Sequence, residues 1–275
     1  MLNLFFVIVC GMSADGVALA SILTQYLSSI LILIALVRTK DAYGVRPKCI
    51  RLHRDKLAPL LTLCCSAGLQ NAIFAVANLF IQAGVNRFDA LMVEGSSAAA
   101  NADGLIYDVM AAFHTACASF IGQNYGAGKA DRVRRSYLLT LGYAALAAAV
   151  FGGLFLLFGR QFLSLFTPEA EVIDAGLQRI AVMCFSFPLS ALMDNTTAAS
   201  RGLGKGLVPM ILVFLGSCVF RVIWIYTVFA YFHTIGSLYL LYPFSWLITG
   251  TAEIAYFVYC YRKYVRLLEA SPAGK

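Results

Sequence analysis

The sequence predicts an all-α fold, a polytopic bundle of membrane helices. Three observations predict it. Of the 275 residues, 60% are apolar and 13% charged, about half the charged share of a soluble domain, roughly 25%. The apolar residues gather into runs long enough to cross a bilayer, which takes about 20 residues of helix. The basic residues, which leave a net charge of +7, fall on alternate loops between those runs. The same figures exclude a soluble enzyme, a disordered tail and a disulfide-stapled secreted module, since the eight cysteines are scattered rather than paired.

Seven spans follow in order. Val17–Val37 is free of charge over 21 residues and Leu57–Asn86 over 30, enough for a tilted span. Ser97–Ile121 is apolar apart from Asp103 and Asp108. Ser136–Gly159 is again free of charge, and Ala175–Ala199 carries Arg179 and Asp194. Leu207–Ala230 holds Arg221, and Leu238–Tyr261 holds Glu253. Short loops rich in Gly, Pro or charge separate them.

One alternate set of loops comprises Arg38–Lys56, Gly122–Arg135, Arg201–Gly206 and the tail after Tyr261, with 17 Lys or Arg between them. The other set has 2, Arg87 and Arg160. Positive residues stay on the cytoplasmic side of short loops. The basic loop at 38–56 and the C-terminus are therefore expected in the cytoplasm, with the spans in the plasma (inner) membrane. Topology accounts for the basic balance, and no nucleic-acid partner is expected. Met1–Met12 is apolar, too short to span and without a basic signal-peptide start. The orientation opens it inside the bilayer, so the chain is expected to be a fragment.

Gly122-Gln-Asn-Tyr-Gly-Ala-Gly-Lys129 invites comparison with a phosphate loop. It has Gln123 where that loop needs its first Gly, and Ala130 where Ser or Thr would hold Mg²⁺. A tight cytoplasmic turn is expected instead, with glycine allowing positive φ and Arg132, Arg134 and Arg135 at the headgroup layer. There is no CxxC pair, His cluster, Ser/His/Asp set or HExxH helix. No metal, no cofactor and no enzymatic activity are expected.

Polar residues inside the spans carry the functional signal, because ionisable groups at mid-bilayer cost about 2.5–3.5 kcal/mol or more. Asp103, Tyr107, Met110 and His114 follow one helix face, while Asn101, Asp108 and Thr115 form a second stripe. Asn71, Asn78 and Gln82 fall within about 40° at roughly 100° per residue, so that face is expected to look inward. Asp194 lies beyond an expected kink at Pro188, with Arg221 and Glu253 near the middle of the last two spans. Such groups can bind helices together, for instance Arg221 with Asp194, or serve an ion pathway. Asp103 and Asp194 are favoured as carriers of a cation or proton, and Arg221 as structural or as the regulator of a nearby acid. For Asn71, Asn78, Gln82 and Glu253 both roles stay open.

Glu94-Gly-Ser-Ser-Ala-Ala-Ala-Asn-Ala-Asp-Gly-Leu-Ile-Tyr107, the turn at Gly122–Lys129 with Arg132, and Arg201-Gly-Leu-Gly-Lys205 resemble the multidrug and toxic compound extrusion (MATE) family. So do Phe220-Arg-Val-Ile-Trp224 and Tyr242-Pro-Phe-Ser-Trp246. The resemblance covers essentially the whole chain in order. It implies a twelve-helix protein of two six-helix lobes, of which this chain would hold one complete lobe and the last one to two helices of the first. By that likeness residues 1–37 are a remnant of the N-terminal lobe, 38–56 a cytoplasmic linker, 57–261 the C-terminal six-helix lobe and 262–275 a cytoplasmic tail.

The resemblance further implies export of small organic compounds, often cationic, in exchange for Na⁺ or H⁺ by alternating access. The coupling ion is left open, and the missing first lobe is expected to be needed for activity. Asp103 stands where relatives carry an acid in the pattern Asn-x-Glu-Gly-x-x-Tyr, and Asp194 where some carry Glu. Gln70 occupies the place of a functional Glu of the seventh helix, and Ser190 that of an Asp of the tenth. Both departures leave Asp103 and Asp194 to compensate, or else imply a different coupling ion. A flippase for a lipid-linked glycan, with a more basic cavity, is the alternative within transport. A half that is inactive, or active only when paired, is the other.

Overall fold

The computed structural model describes residue 2 and residues 5–39, 44–46, 51 and 53–270. They are helical, and they divide into two compact units, Met1–Leu57 and Ala58–Lys275. In the first, a π-helical turn at Phe5–Val9 precedes α1 (Ala14–Arg38). Ile22, Leu23, Ile30, Leu31 and Ile34 of α1 are all exposed, the surface of a helix that runs through hydrocarbon. Of the basic linker expected at 38–56, residues 40–43, 47–50 and 52 lie outside the described residues.

The second unit takes up α2 (Arg54–Val85), which starts just ahead of the division, then α3 (Ala90–Gly126), α4 (Ala130–Leu163) and α5 (Ala170–Gly202). These are followed by α6 (Leu207–Phe232), a short turn at Ile235–Tyr239, and α7 (Leu241–Glu269). Six helices among the described residues are long and apolar enough to cross a membrane. The seventh expected span, α7, is long enough but not among them. Its apolar run is diluted by Tyr242, Thr249, Thr251, Glu253, Tyr256 and Tyr259.

Several ends differ from the apolar runs. α3 begins at Ala90, about two turns before Ser97, because the Asp89 carboxylate caps it and accepts the Met92 N–H at 3.0 Å. α7 runs past Tyr261 to Glu269, where Arg262, Lys263 and Arg266 suit the negative end of the helix dipole. Pro188 lies inside α5, which continues through it. The turn after α3 forms as expected, with Gly128 at φ +72°. Within α6 two π-helical stretches, Phe214–Val219 and Ile225–Phe229, bracket Arg221. No periodicity in the sequence announces them.

α5 is the centre of the lobe and packs against α3, α4 and α7. Half of its membrane span is buried. Small residues let the backbones meet, as is usual where lipid supplies no hydrophobic drive. A Cβ on Gly176 of α5 would stand 2.9 Å from the Gly95 carbonyl of α3 and 2.9 Å from a Leu163 methyl. Gly176→Val is therefore expected to pry α3 from α5 and lower stability by about 1–3 kcal/mol, read as a fall in the thermal midpoint in detergent. Below this contact Ile106, Met110, Met183, Phe187, Phe229 and Trp246 form the main apolar cluster.

Candidate functional site

A crevice of about 660 Å³ opens between the polar faces of α2, α3 and α5, and Arg221 of α6 with Tyr242 and Trp246 of α7 completes its wall. The amide stripe of α2 faces it, since Gln70, Asn71, Asn78 and Gln82 all line it. Gln82 also donates to the Asn86 side chain at 2.9 Å. From α3 come Ser96, Asp103, Tyr107 and His114, whereas Met110 of the same stripe turns into the core at 3% exposure. α5 contributes Arg179, Met183, Phe187, Asp194 and Arg201.

The two favoured carboxylates differ in their company. Asp103 is already answered by a cation: Arg179 approaches its Oδ2 through Nη2 at 2.8 Å and Nε at 2.9 Å. Arg179 also donates to Ser96 Oγ at 3.0 Å, and its guanidinium lies 5.6 Å from the Tyr239 ring centroid. Asp194 is held by neutral groups instead. Its Oδ2 accepts the Tyr107 hydroxyl at 3.2 Å and the Ser190 hydroxyl at 3.1 Å. No Arg, Lys or His forms an ion pair with it among the described residues. Arg201 and Arg221 act on it only from further off. The Arg221–Asp194 pair considered from the sequence is thus not formed. Arg221, 2% exposed, donates to Ser245 Oγ at 3.2 Å and sits 4.8 Å from the Tyr242 ring centroid.

Two of the sequence candidates lie elsewhere. Asp108 is exposed with Asn101 and Thr115 on another side of α3 and does not line the crevice. Glu253 is fully buried and lines no part of it. Conversely, Arg179, Ser96 and Arg201 belong to the site although the sequence did not single them out for it, and Ser190, read as standing in the place of an Asp, donates to Asp194. A signal existed. Positions 179, 183, 187, 190, 194 and 201 share one face of α5 by their 4-4-3-4-7 spacing.

The wall therefore offers one carboxylate neutralised by arginine, one carboxylate free of cations, amides, hydroxyls and aromatic rings. Among the described residues no group of three or more His, Cys, Asp or Glu could hold a metal ion.

The family model described as MatE matches residues 67–227. The chain is 25% identical over 216 residues to the Probable multidrug resistance protein YpnP of Bacillus subtilis (strain 168), an alignment that takes in 78% of this chain and 48% of the relative. It spans about half the length of that curated relative. Among solved structures it resembles MATE in complex with MaL6, with TM-score 0.86 and 18% identity over 96% of this chain and 60% of the other. The outward-facing conformation of a multidrug resistance MATE family transporter of the MOP superfamily gives TM-score 0.86 and 19% identity, with 96% and 60% covered. A MOP superfamily transporter from Pyrococcus furiosus, whose binding pocket is described as reversed in polarity, gives 0.85 and 19%, with 98% and 61% covered. These likenesses establish a transporter-lobe fold. The multi-pass membrane chain belongs to the MatE family.

Proposed function

We propose that the chain supplies the ion-handling second lobe of an alternating-access exporter, which moves small organic compounds outward in exchange for Na⁺ or H⁺. One observation carries the reading: the Asp194 carboxylate borders the crevice and is held by two hydroxyls with no cation upon it. A carboxylate so placed can accept a metal cation, a proton or the ammonium group of a substrate in turn. Loading it changes the charge of the crevice wall, and a site whose charge differs between states biases an equilibrium between two lobe arrangements. The spans lie in the plasma (inner) membrane with the C-terminus cytoplasmic, as the 17-to-2 division of basic residues between loops supports. The family to which the chain belongs is one of transporters, and no enzymatic activity is proposed.

Substrate charge follows from the same wall. Asp108 and Glu253 lie outside the crevice, so the acid majority of the spans does not carry over to it. With Asp103 neutralised by Arg179, Asp194 remains to receive an organic cation. A second reading has its own observation: Arg201 and Arg221 line the same space and would suit the phosphate of a lipid-linked glycan.

Two preparations in liposomes test the proposal, this 275-residue chain alone and the same lobe joined to a first lobe. With an inward Na⁺ or H⁺ gradient, the two-lobed protein is expected to expel a cationic dye, and the lone chain is not. Efflux by the lone chain would show that one crevice wall suffices. Movement of an anionic glycolipid but not the dye by the two-lobed protein would favour the flippase.

A further inference from the structure

We infer that Glu253 is a second proton-binding site, apart from the crevice, whose occupancy decides whether Arg201 holds α2. Glu253 sits on the face of α7 that packs against α5 and is 0% exposed, yet neither carboxylate oxygen has a hydrogen-bond partner. The polar groups of α5 that act on it are Arg201, Thr197 and Asp194. The Thr197 hydroxyl, the neighbouring Ser200 hydroxyl and the Arg201 Nε are likewise buried without partners. The Glu253 carboxylate, the Thr197 hydroxyl and the Arg201 Nε are thus buried close together without a well-formed hydrogen bond between them. A bare carboxylate beside a free cationic donor would draw it in. The geometry suits the neutral acid, whose O–H the Thr197 hydroxyl oxygen can accept. A metal cation fits less well, because Arg201 already brings positive charge.

The other end of Arg201 gives the site its consequence. Its Nη2 donates to the Gln70 side chain of α2. That hydrogen bond joins a side chain of α2 to one of α5. When Glu253 gives its proton to water, by way of the crevice that Arg201 also lines, the carboxylate competes with Gln70 for the guanidinium. Arg201 turns toward α7, and α2 loses that hydrogen bond to α5.

The other titratable groups linked to Glu253 are Asp194 on α5 and Tyr256 on α7 itself. Of these, Asp194 is the acid that could mimic the effect. The inference does not depend on the crevice being a transport site.

The test uses the full chain in lipid nanodiscs. With the native cysteines replaced, spin labels are placed at Leu79→Cys on α2 and Leu146→Cys on α4, both exposed positions. The label separation is expected to change between acidic and alkaline pH at constant Na⁺. Glu253→Gln should keep the acidic separation at every pH, Gln70→Leu the alkaline one, and Asp194→Asn should titrate as the parent does. Infrared spectra at acidic pH should contain a protonated-carboxyl band that Glu253→Gln removes. A separation that ignores pH, follows Na⁺ instead, or titrates unchanged in Glu253→Gln overturns the inference. So does a shift abolished by Asp194→Asn alone, or a carboxyl band indifferent to Glu253→Gln.

Discussion

Asp194→Asn, made in a two-lobed protein that contains this chain, is expected to cut the dependence of efflux on the ion gradient by about 5- to 150-fold, the usual span of a coupling energy. Expression and thermal midpoint should stay near those of the parent. The asparagine keeps the shape of the side chain and can still accept the Tyr107 and Ser190 hydroxyls through its amide oxygen. What it loses is charge. The measurement is dye efflux as a function of imposed Na⁺ and, separately, of pH, and the arm that goes flat identifies the coupling ion. Gradient dependence equal to the parent's in both arms would return Asp194 to a structural role and leave the proposed exporter without its ion site.

The second large effect concerns Asp103 and should look different. Arg179→Met leaves the Asp103 carboxylate without its cation in a region where the Arg179 side chain is 12% and the Asp103 side chain 15% exposed. Breaking a buried pair from one side costs about 3–5 kcal/mol, and contact with the crevice places this case toward the low end. The thermal midpoint in detergent should fall accordingly, before any transport is measured. Adding Asp103→Leu to Arg179→Met should recover much of the loss, because no orphaned charge then remains. Asp103→Asn alone should destabilise as well, which separates it from Asp194→Asn. Equal stability of Arg179→Met and the parent would mean that the pair is loose enough to open, and Asp103 would then rejoin Asp194 as an ion carrier.

Much of this was legible because a bilayer limits what a chain can do. A backbone crossing hydrocarbon must satisfy its own hydrogen bonds, so each charge-free run marks a helix, and the runs located α1 to α7 to within a few turns. The inward amide face of α2 was legible for a related reason: Asn71, Asn78 and Gln82 recur on one side, and all three line the crevice. Partners were harder to read. Arg179 and Asp103 are 76 residues apart in sequence, and no local pattern says that α3 and α5 cross at Gly95 and Gly176. Arg201 looked like one charge of a cytoplasmic loop because it stands at the end of an apolar run. It lies instead in the last turn of α5, with its guanidinium on Gln70. Glu253 was visible as an oddity, but its lack of partners is a property of packing alone.

The widened turns of α6 bear on how this helix tolerates change. A wheel drawn through Leu207–Phe232 at a constant step drifts by about one residue, roughly 100°, across each π stretch. Insertion or deletion of a single residue there can be taken up by tightening or loosening the local coil, without shifting either end of the span in depth. The same change in α5, where Gly176 is wedged against the backbone of its neighbour, has no such slack and would throw every later side chain onto the wrong side.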